Sequence, residues 1–593
     1  MNPGKMSVNR ASFLLASLLV GSSLLGAADN VTTTAVPSNS TTSAAAQSQG
    51  DEIARLKAAM AEQQKQLQAL QQMLQGQQQL IDKVVGTSGA GSSSAGTSAA
   101  SQRPNLGNVA SLTPVIPGPA ALPAARPVSI ANPAPRPQGA TGGASNPCEA
   151  GPDGNAVPAY LRLGSVCIVP VGFMDLTPFW RDKNAASGMG SNFGSVPYNN
   201  TVAGNLSEYH FSIQNSRLGL RIDGDWKGTH FIGYNEFDFN GTGGATNLAV
   251  SNGAVVPRIR LFWVDVRKDK LEFLAGQSWS MLVPNRNGIS ALPGDLFYTQ
   301  VIDINYMAGL TWTRQPGMRV LYHPSKKVTF GFSAEQADQY IGGSGGGGAI
   351  TLPSALSGLT STQLDAGANI SGASYLGTPT VMPDLIAKIA FDPSSRLHLE
   401  VTGIDSTFKA TSVAAPFIHN TVTGAGLQFG ANAEIVKNFR VITTNFLTDG
   451  DGRYLFGAAP DLIVRANGSL SPVKAGATID GVEAVVKNTL LYAYYGGIFI
   501  KRNTALDSNG TSLIGYGYSG SPNSQNRAIN EVTFGFNQTM WRNPRYGAIN
   551  VMGQYEWLER DPWFVAAGAP KNTHDNTVYM NVRYTLPGAM PNF

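Results

Sequence analysis

Few residues in this sequence stand where side chains do covalent chemistry. The six histidines, His210, His230, His323, His398, His419 and His574, are scattered, with no two at metal-ligand spacing. The two cysteines, Cys148 and Cys167, have no histidine cluster with which to build a zinc site. Gly517-Tyr518-Ser519-Gly520 is half of a nucleophile elbow, but it sits in a loop without the strand-turn-helix setting that such a serine needs. The glycine run from Gly342 to Gly348 follows a strand pattern and leads to neither a Lys-Ser/Thr pair nor a helix, so it has no means to cradle phosphate. The sequence predicts no enzyme, no cofactor and no metal.

What the residues can do is select ions. In Arg217-Leu218-Gly219-Leu220-Arg221-Ile222-Asp223 the apolar and charged side chains alternate, as do Arg258 and Arg260 with Ile259 and Leu261, and Glu236 and Asp238 with Phe237 and Phe239. If Leu218, Leu220, Ile222, Ile259 and Leu261 face lipid, parity puts Arg217, Arg221, Arg258 and Arg260 against enclosed water. The same logic sends Glu236, Asp238, Lys388, His398, Glu400, Arg440, Lys501 and Arg583 inward. Arginines on a low-dielectric wall focus the field, and their forks pair with carboxylate or phosphate, so this set implies weak anion selectivity. The alternative is that the arginines and acids pair with one another and only hydrate the interior.

The elements that must hold these residues are strands. From Ile168 onward the period is two, with further stripes such as Val328-Phe330-Phe332, Leu397-Leu399-Val401, Val532-Phe534-Phe536 and Val578-Met580-Val582-Tyr584. Strands are expected near 168–180, 208–225, 228–240, 256–267, 270–282, 307–323, 326–338, 381–391, 396–409, 421–436, 438–449, 480–487, 489–502, 528–540, 546–559 and 575–586. Their connections alternate short, as at Trp226-Lys227, Pro324-Ser325 and Lys437, with long, as at 181–207, 283–306, 339–380, 450–479 and 503–527. A sandwich has no reason to alternate so strictly, whereas an outer-membrane barrel with both ends in the periplasm does. The fold class is therefore all-β: a 16-stranded antiparallel transmembrane barrel, wide enough for an aqueous channel, with an N-terminal α-helical coiled-coil extension.

Composition agrees. Only 13% of residues are charged, against roughly 25% in ordinary soluble chains, which argues against a cytosolic enzyme. Beyond the N-terminus no apolar run reaches the length of about 20 residues that a helical membrane bundle needs. The net charge of +4 falls to +2 once Lys5 and Arg10 leave with a leader, too small a surplus for nucleic-acid binding.

Ahead of the barrel (148–593) lie four further segments. Residues 1–28 read as a secretory signal peptide, with a basic start, an apolar stretch from Ala11 to Leu25 and small residues before Asp29. Residues 29–50 are read as disordered. Over 51–85, Ile53, Leu56, Met60, Gln63, Leu67, Leu70, Leu74, Gln77, Ile81 and Val84 recur at an unbroken 3-4 spacing, a narrow seam that predicts a homo-oligomeric coiled coil without fixing the number of helices. The stretch 86–147, Gly/Ser/Ala-rich and then Pro-rich, is a semi-rigid spacer. Export to an oxidising compartment makes Cys148 and Cys167 one disulfide, worth about 3 kcal/mol on the chain-entropy model.

The coil, the spacer, and a barrel holding Gly276-Gln277-Ser278-Trp279-Ser280, Arg314-Gln315-Pro316, Tyr494-Tyr495-Gly496-Gly497 and a final Phe593 together resemble the DcaP-type trimeric porins. The resemblance implies homotrimers in outer-membrane lipid, a periplasmic coiled-coil arm, and uptake of small anions such as dicarboxylates. It implies too that the third long loop, Val283 to Tyr306 with Arg286, Asp295 and Asp303, folds into the barrel and narrows it, and that Phe593 serves as an assembly signal. Pro587, Gly588 and Pro591 interrupt the run to Phe593 and depart from the family pattern. The arm's reach would bring peptidoglycan within range. Phosphate-selective porins share the plan, which makes an oxyanion channel the alternative within the class; a secreted β-rich adhesin is the alternative outside it.

Overall fold

The computed structural model describes residues 161–587, apart from 165, 186–187, 242–255, 298, 344–345, 357–375, 378–379, 413–415 and 544–545. The leader, the 29–50 segment, the heptad seam from Ile53 to Val84, the 86–147 spacer, Cys148 and Phe593 lie outside the described residues. Cys167 is disulfide-bonded.

Sixteen long antiparallel strands make one closed sheet among the described residues. They are β1 Val166–Arg181, β2 Arg217–Trp226 with a short forward piece Glu208–Ser212, β3 Thr229–Gly241, β4 Val256–Lys268, β5 Leu271–Trp279, β6 Arg314–Ser325, β7 Val328–Glu335 and β8 Asp384–Ser394. After these come β9 Leu397–Ser412, β10 His419–Val436, β11 Phe439–Asp449, β12 Lys474–Val486, β13 Thr489–Ile500, β14 Asn526–Asn543, β15 Gly547–Pro562 and β16 Thr573–Thr585. Each strand pairs with its neighbours in sequence, and β1 closes the ring. Its first half, Val166 to Phe173, pairs with β2, and its second half, Phe173 to Arg181, with β16.

At one end of the barrel the strands are joined by tight turns. Between β2 and β3 both Lys227 (φ 48°) and Gly228 (φ 75°) are left-handed, the mirror-image turn whose twist matches that of the strands it joins. The connections 280–313, 336–383, 450–473 and 501–525, all at the other end, are long. Against the sequence reading, β12 starts at Lys474 instead of 480, and residues 307–313 precede β6 as loop. Met307 and Leu310 are fully buried in that loop, packed with Trp279 and Phe297. The expected 208–225 strand is broken by a turn in which Ser216 N donates to Ile213 O at 3.0 Å.

Burial on the strands inverts the order of a soluble protein. Leu427, Leu447, Phe499 and Phe534 point out and are exposed, while Gln428, Thr402, Glu531 and Asn581 point in and are buried. A soluble sandwich has no use for such a wall; hydrocarbon does. One lipid-facing assignment fails. Glu236 pairs with Leu261 but Phe237 with Ile259, so Arg260 forms a bulge, and Arg260 and Leu261 both turn inward, Leu261 completely buried. Among the described residues no helix is long and apolar enough to cross a membrane.

Candidate functional site

The inside of the barrel is occupied by the chain itself. Backbone N–H groups along the 280–313 connection donate to side chains of the wall: Met281 to Glu335 on β7 (2.7 Å), Asn285 to Glu400 on β9 (3.1 Å), Gly288 to Asp392 on β8 (3.1 Å) and Ala308 to Glu531 on β14 (2.8 Å). Gln300 N reaches the Tyr494 hydroxyl on β13 (3.2 Å), and Ile302 N reaches Gln554 on β15 (2.5 Å). In return, Lys388 Nζ donates to Val283 O (2.8 Å) and Asn285 Oδ1 (3.1 Å), and Gln428 Nε2 donates to Leu282 O (2.7 Å).

The three loop residues singled out in the sequence have distinct contacts. Arg286 makes a two-pronged pair with Glu483 on β12 (2.7 and 2.9 Å), and Tyr494 OH donates to the same carboxylate at 2.6 Å. Asp303 accepts from Ser191 N (2.8 Å) and Tyr579 OH (3.1 Å), joining the segment to the first long connection and to β16. Asp295 is half-buried, and its backbone carbonyl accepts from Arg286 N at 2.8 Å, folding the segment's tip back on itself.

Facing this segment, β2, β4 and β6 carry a cluster of guanidinium groups around the acids of β3. Arg260 pairs with Glu236 and Asp238, each at 2.7 Å, and Asp238 is shared with Arg258, also at 2.7 Å. Arg217 and Arg260 both donate to the hydroxyl of Tyr306 (3.3 and 3.0 Å). Arg314 lies over the rings of Trp279 and Trp312, each 5.3 Å from the guanidinium carbon. Arg583 pairs with Asp175 at 2.9 Å and covers Phe173.

A second cluster is sealed. Lys388, Glu400, His398 and Asp392 are joined by bonds of 3.2, 3.1 and 2.8 Å, and all are nearly inaccessible. Its role is to hold the segment's Val283–Gly288 stretch. Outside the strands, burial pushes the Asp451 carboxyl up to about 7, although Thr448 and Ser406 donate to it at 2.6 and 2.7 Å.

Of the twelve side chains assigned inward from parity, Arg217, Arg221, Glu236, Asp238, Arg258, Arg260, Lys388, His398, Glu400, Arg440 and Arg583 point into the barrel. Lys501 does not. Ile498 and Ile500 are buried inward, so the next residue is exposed on the outer face beside Phe499, just past the end of β13. Glu483 was legible in the sequence, since it alternates with the outward Val482. Tyr306 and Arg314 carried no such signal: one sits in irregular backbone at φ 66°, and the other stands where its strand begins and parity stops counting.

No family model and no curated protein matches the chain. Among solved structures it is similar to the outer membrane channel DcaP of Acinetobacter baumannii, with 18% identity and a TM-score of 0.53 over 72% of this chain and 100% of that one. It is also similar to an anion-selective porin from Comamonas acidovorans, with 13% identity and a TM-score of 0.38 over 71% of this chain and 100% of that one. The first likeness is one of fold: the chain has a porin-type 16-stranded barrel.

Proposed function

We propose that this protein is an outer-membrane porin, a passive diffusion channel for small hydrophilic solutes with weak anion selectivity, taking dicarboxylates or similar small anions. One observation carries the selectivity. In five of the arginine pairs inside the barrel the guanidinium is the more accessible partner and the carboxylate lies behind it, whereas Arg260 and Arg181 are sealed behind their acids. Arg258 is 39% exposed against 4% for Asp238, and Arg286 is 21% exposed against 7% for Glu483. Arg221, Arg267 and Arg583 stand in the same order to Asp223, Asp265 and Asp175. A permeating ion therefore meets positive charge first, in a space where low-dielectric walls strengthen it. Pairing inside the barrel, the alternative weighed from sequence, does occur, but it leaves this residual asymmetry.

The inward segment with Arg286, Asp295 and Asp303 forms the constriction in this reading. The heptad seam from Ile53 to Val84, behind a cleaved leader, joins three chains through a periplasmic arm that reaches toward peptidoglycan. Purified protein in planar bilayers under a salt gradient tests the channel: steps in groups of three and an anion-side reversal potential are expected, and a cation-side potential would reject the selectivity. Competition of a dicarboxylate with inorganic phosphate separates the solute class from the oxyanion alternative.

A further inference from the structure

Lys501, turned away from the interior, stands over a notch in the outer wall. Leu427, Leu447, Gly476 and Phe499 lie directly opposite one another across β10, β11, β12 and β13. Because Gly476 has no side chain, the row is a shallow groove with Leu447 and Phe499 as its sides. The next row toward the long connections is charged. Asp449 is in register with Lys474, and Lys501 N donates to Lys474 O at 2.8 Å. Lys474 pairs with Asp449 at 3.1 Å while 63% exposed, and among the described residues Lys501 makes no ion pair. Like charges side by side on paired strands are unfavourable unless an anion joins them.

We infer that this part of the wall is a binding site for a phosphorylated glycolipid of the surrounding leaflet, its phosphate between Lys474 and Lys501 and an acyl chain in the notch over Gly476. The inference rests on the outer-membrane reading, in which the long connections face outside. The apolar row then lies at acyl depth and the lysine row at headgroup depth.

The test uses the full chain in mild detergent, titrated with lipid A that carries or lacks its phosphates and read by native mass spectrometry. The phosphorylated form should bind in preference, and Lys474→Gln/Lys501→Gln should weaken it about thirty-fold while leaving the dephosphorylated form alone. Gly476→Leu, whose Cβ would meet only the flexible tip of Leu447 at 3.1 Å and a backbone oxygen at 3.6 Å, fills the notch and should displace both forms. Equal binding of the two lipids, or undiminished binding in Gly476→Leu, overturns the site even if the lysine variant fails to fold. Conductance of the wild type is the separate readout: a conducting barrel without lipid discrimination rejects only the groove, and a barrel that does not conduct rejects the channel.

Discussion

Arg286 and Glu483 tie the inward segment to β12, and cutting this pair should change both the width and the charge of the channel. Arg286→Ala removes two charge-assisted bonds of 2.7 and 2.9 Å and leaves Glu483 held by Tyr494 alone, with Arg440 in electrostatic range. Truncating one member of a fully buried pair costs about 3–5 kcal/mol, and the 21% exposure of Arg286 puts this one near about 2–3 kcal/mol. That shifts the balance between tethered and released segment by about a hundredfold. The segment stays attached at Met281, Asn285 and Ala308, so the expected result is noisier, larger single-channel conductance, not a collapsed barrel. Glu483→Gln loosens the same tether while changing the charge in the opposite direction. Reversal potentials should therefore move toward cations in Arg286→Ala and toward anions in Glu483→Gln, with an interaction energy of about 1.5–3 kcal/mol in the double-mutant cycle. If both variants conduct and select like the wild type, the segment is not where ions are sorted.

Further outcomes follow from the same contacts. Arg258→Ala removes the most accessible guanidinium of the inward ion pairs while Asp238 keeps Arg260, so anion preference should fall in salt-gradient measurements with no loss of thermal stability. Lys388→Met leaves Glu400 buried without its ammonium partner and should destabilise by about 3–5 kcal/mol, visible as a lower temperature of the folded-to-unfolded gel shift. The Asp451 carboxyl, raised by burial from 3.8 to about 7, holds a proton in the folded state that the unfolded chain has released. Its contribution to stability is thus full below pH 3.8 and is lost as pH rises through about 7. Limited proteolysis of the 450–473 connection should be faster at pH 8 than at pH 5 in the wild type, and Asp451→Asn should lose most of that difference.

The order of the strands could be read from the sequence because hydrocarbon on one side and water on the other enforce a strict period of two. Parity then carried most of the inward side chains with it. It misled where the backbone departs from that period. The bulge at Arg260 turned Leu261 inward. Lys501, by contrast, keeps the period, outward like Phe499 with Ile500 inward between them, so strict alternation itself excludes the inward assignment. The contacts of the inward segment were beyond reach for a different reason. Residues 280–313 have no regular period, and their positions follow from acceptors on strands as remote in sequence as β14 and β15. Tyr306 meets Arg217 and Arg260 only through that path.

The positive inner face proposed here does not come from an excess of basic residues, since the chain has 42 Lys and Arg against 38 Asp and Glu. It comes from what each group can accept. A segment without regular structure, placed inside a closed barrel, presents backbone N–H donors that find no strand partner and must each be satisfied. Carboxylates can accept them; guanidinium and ammonium groups, which only donate, cannot. Glu335, Glu400, Asp392 and Glu531 are drawn against the backbone in this way, while the arginines turn to other wall carboxylates, to aromatic faces and to water. The distinction is open to a direct test at Glu531, which accepts from Ala308 N at 2.8 Å. Glu531→Gln keeps an acceptor and should leave the segment in place, whereas Glu531→Ala orphans a buried donor at about 1–3 kcal/mol and should loosen it. Conductance noise that rises in the alanine variant and not in the glutamine variant identifies the acceptor oxygen as what holds the segment. Equal noise in both would mean that the carboxylate's charge holds it, and the division between structural acids and accessible arginines would lose its basis.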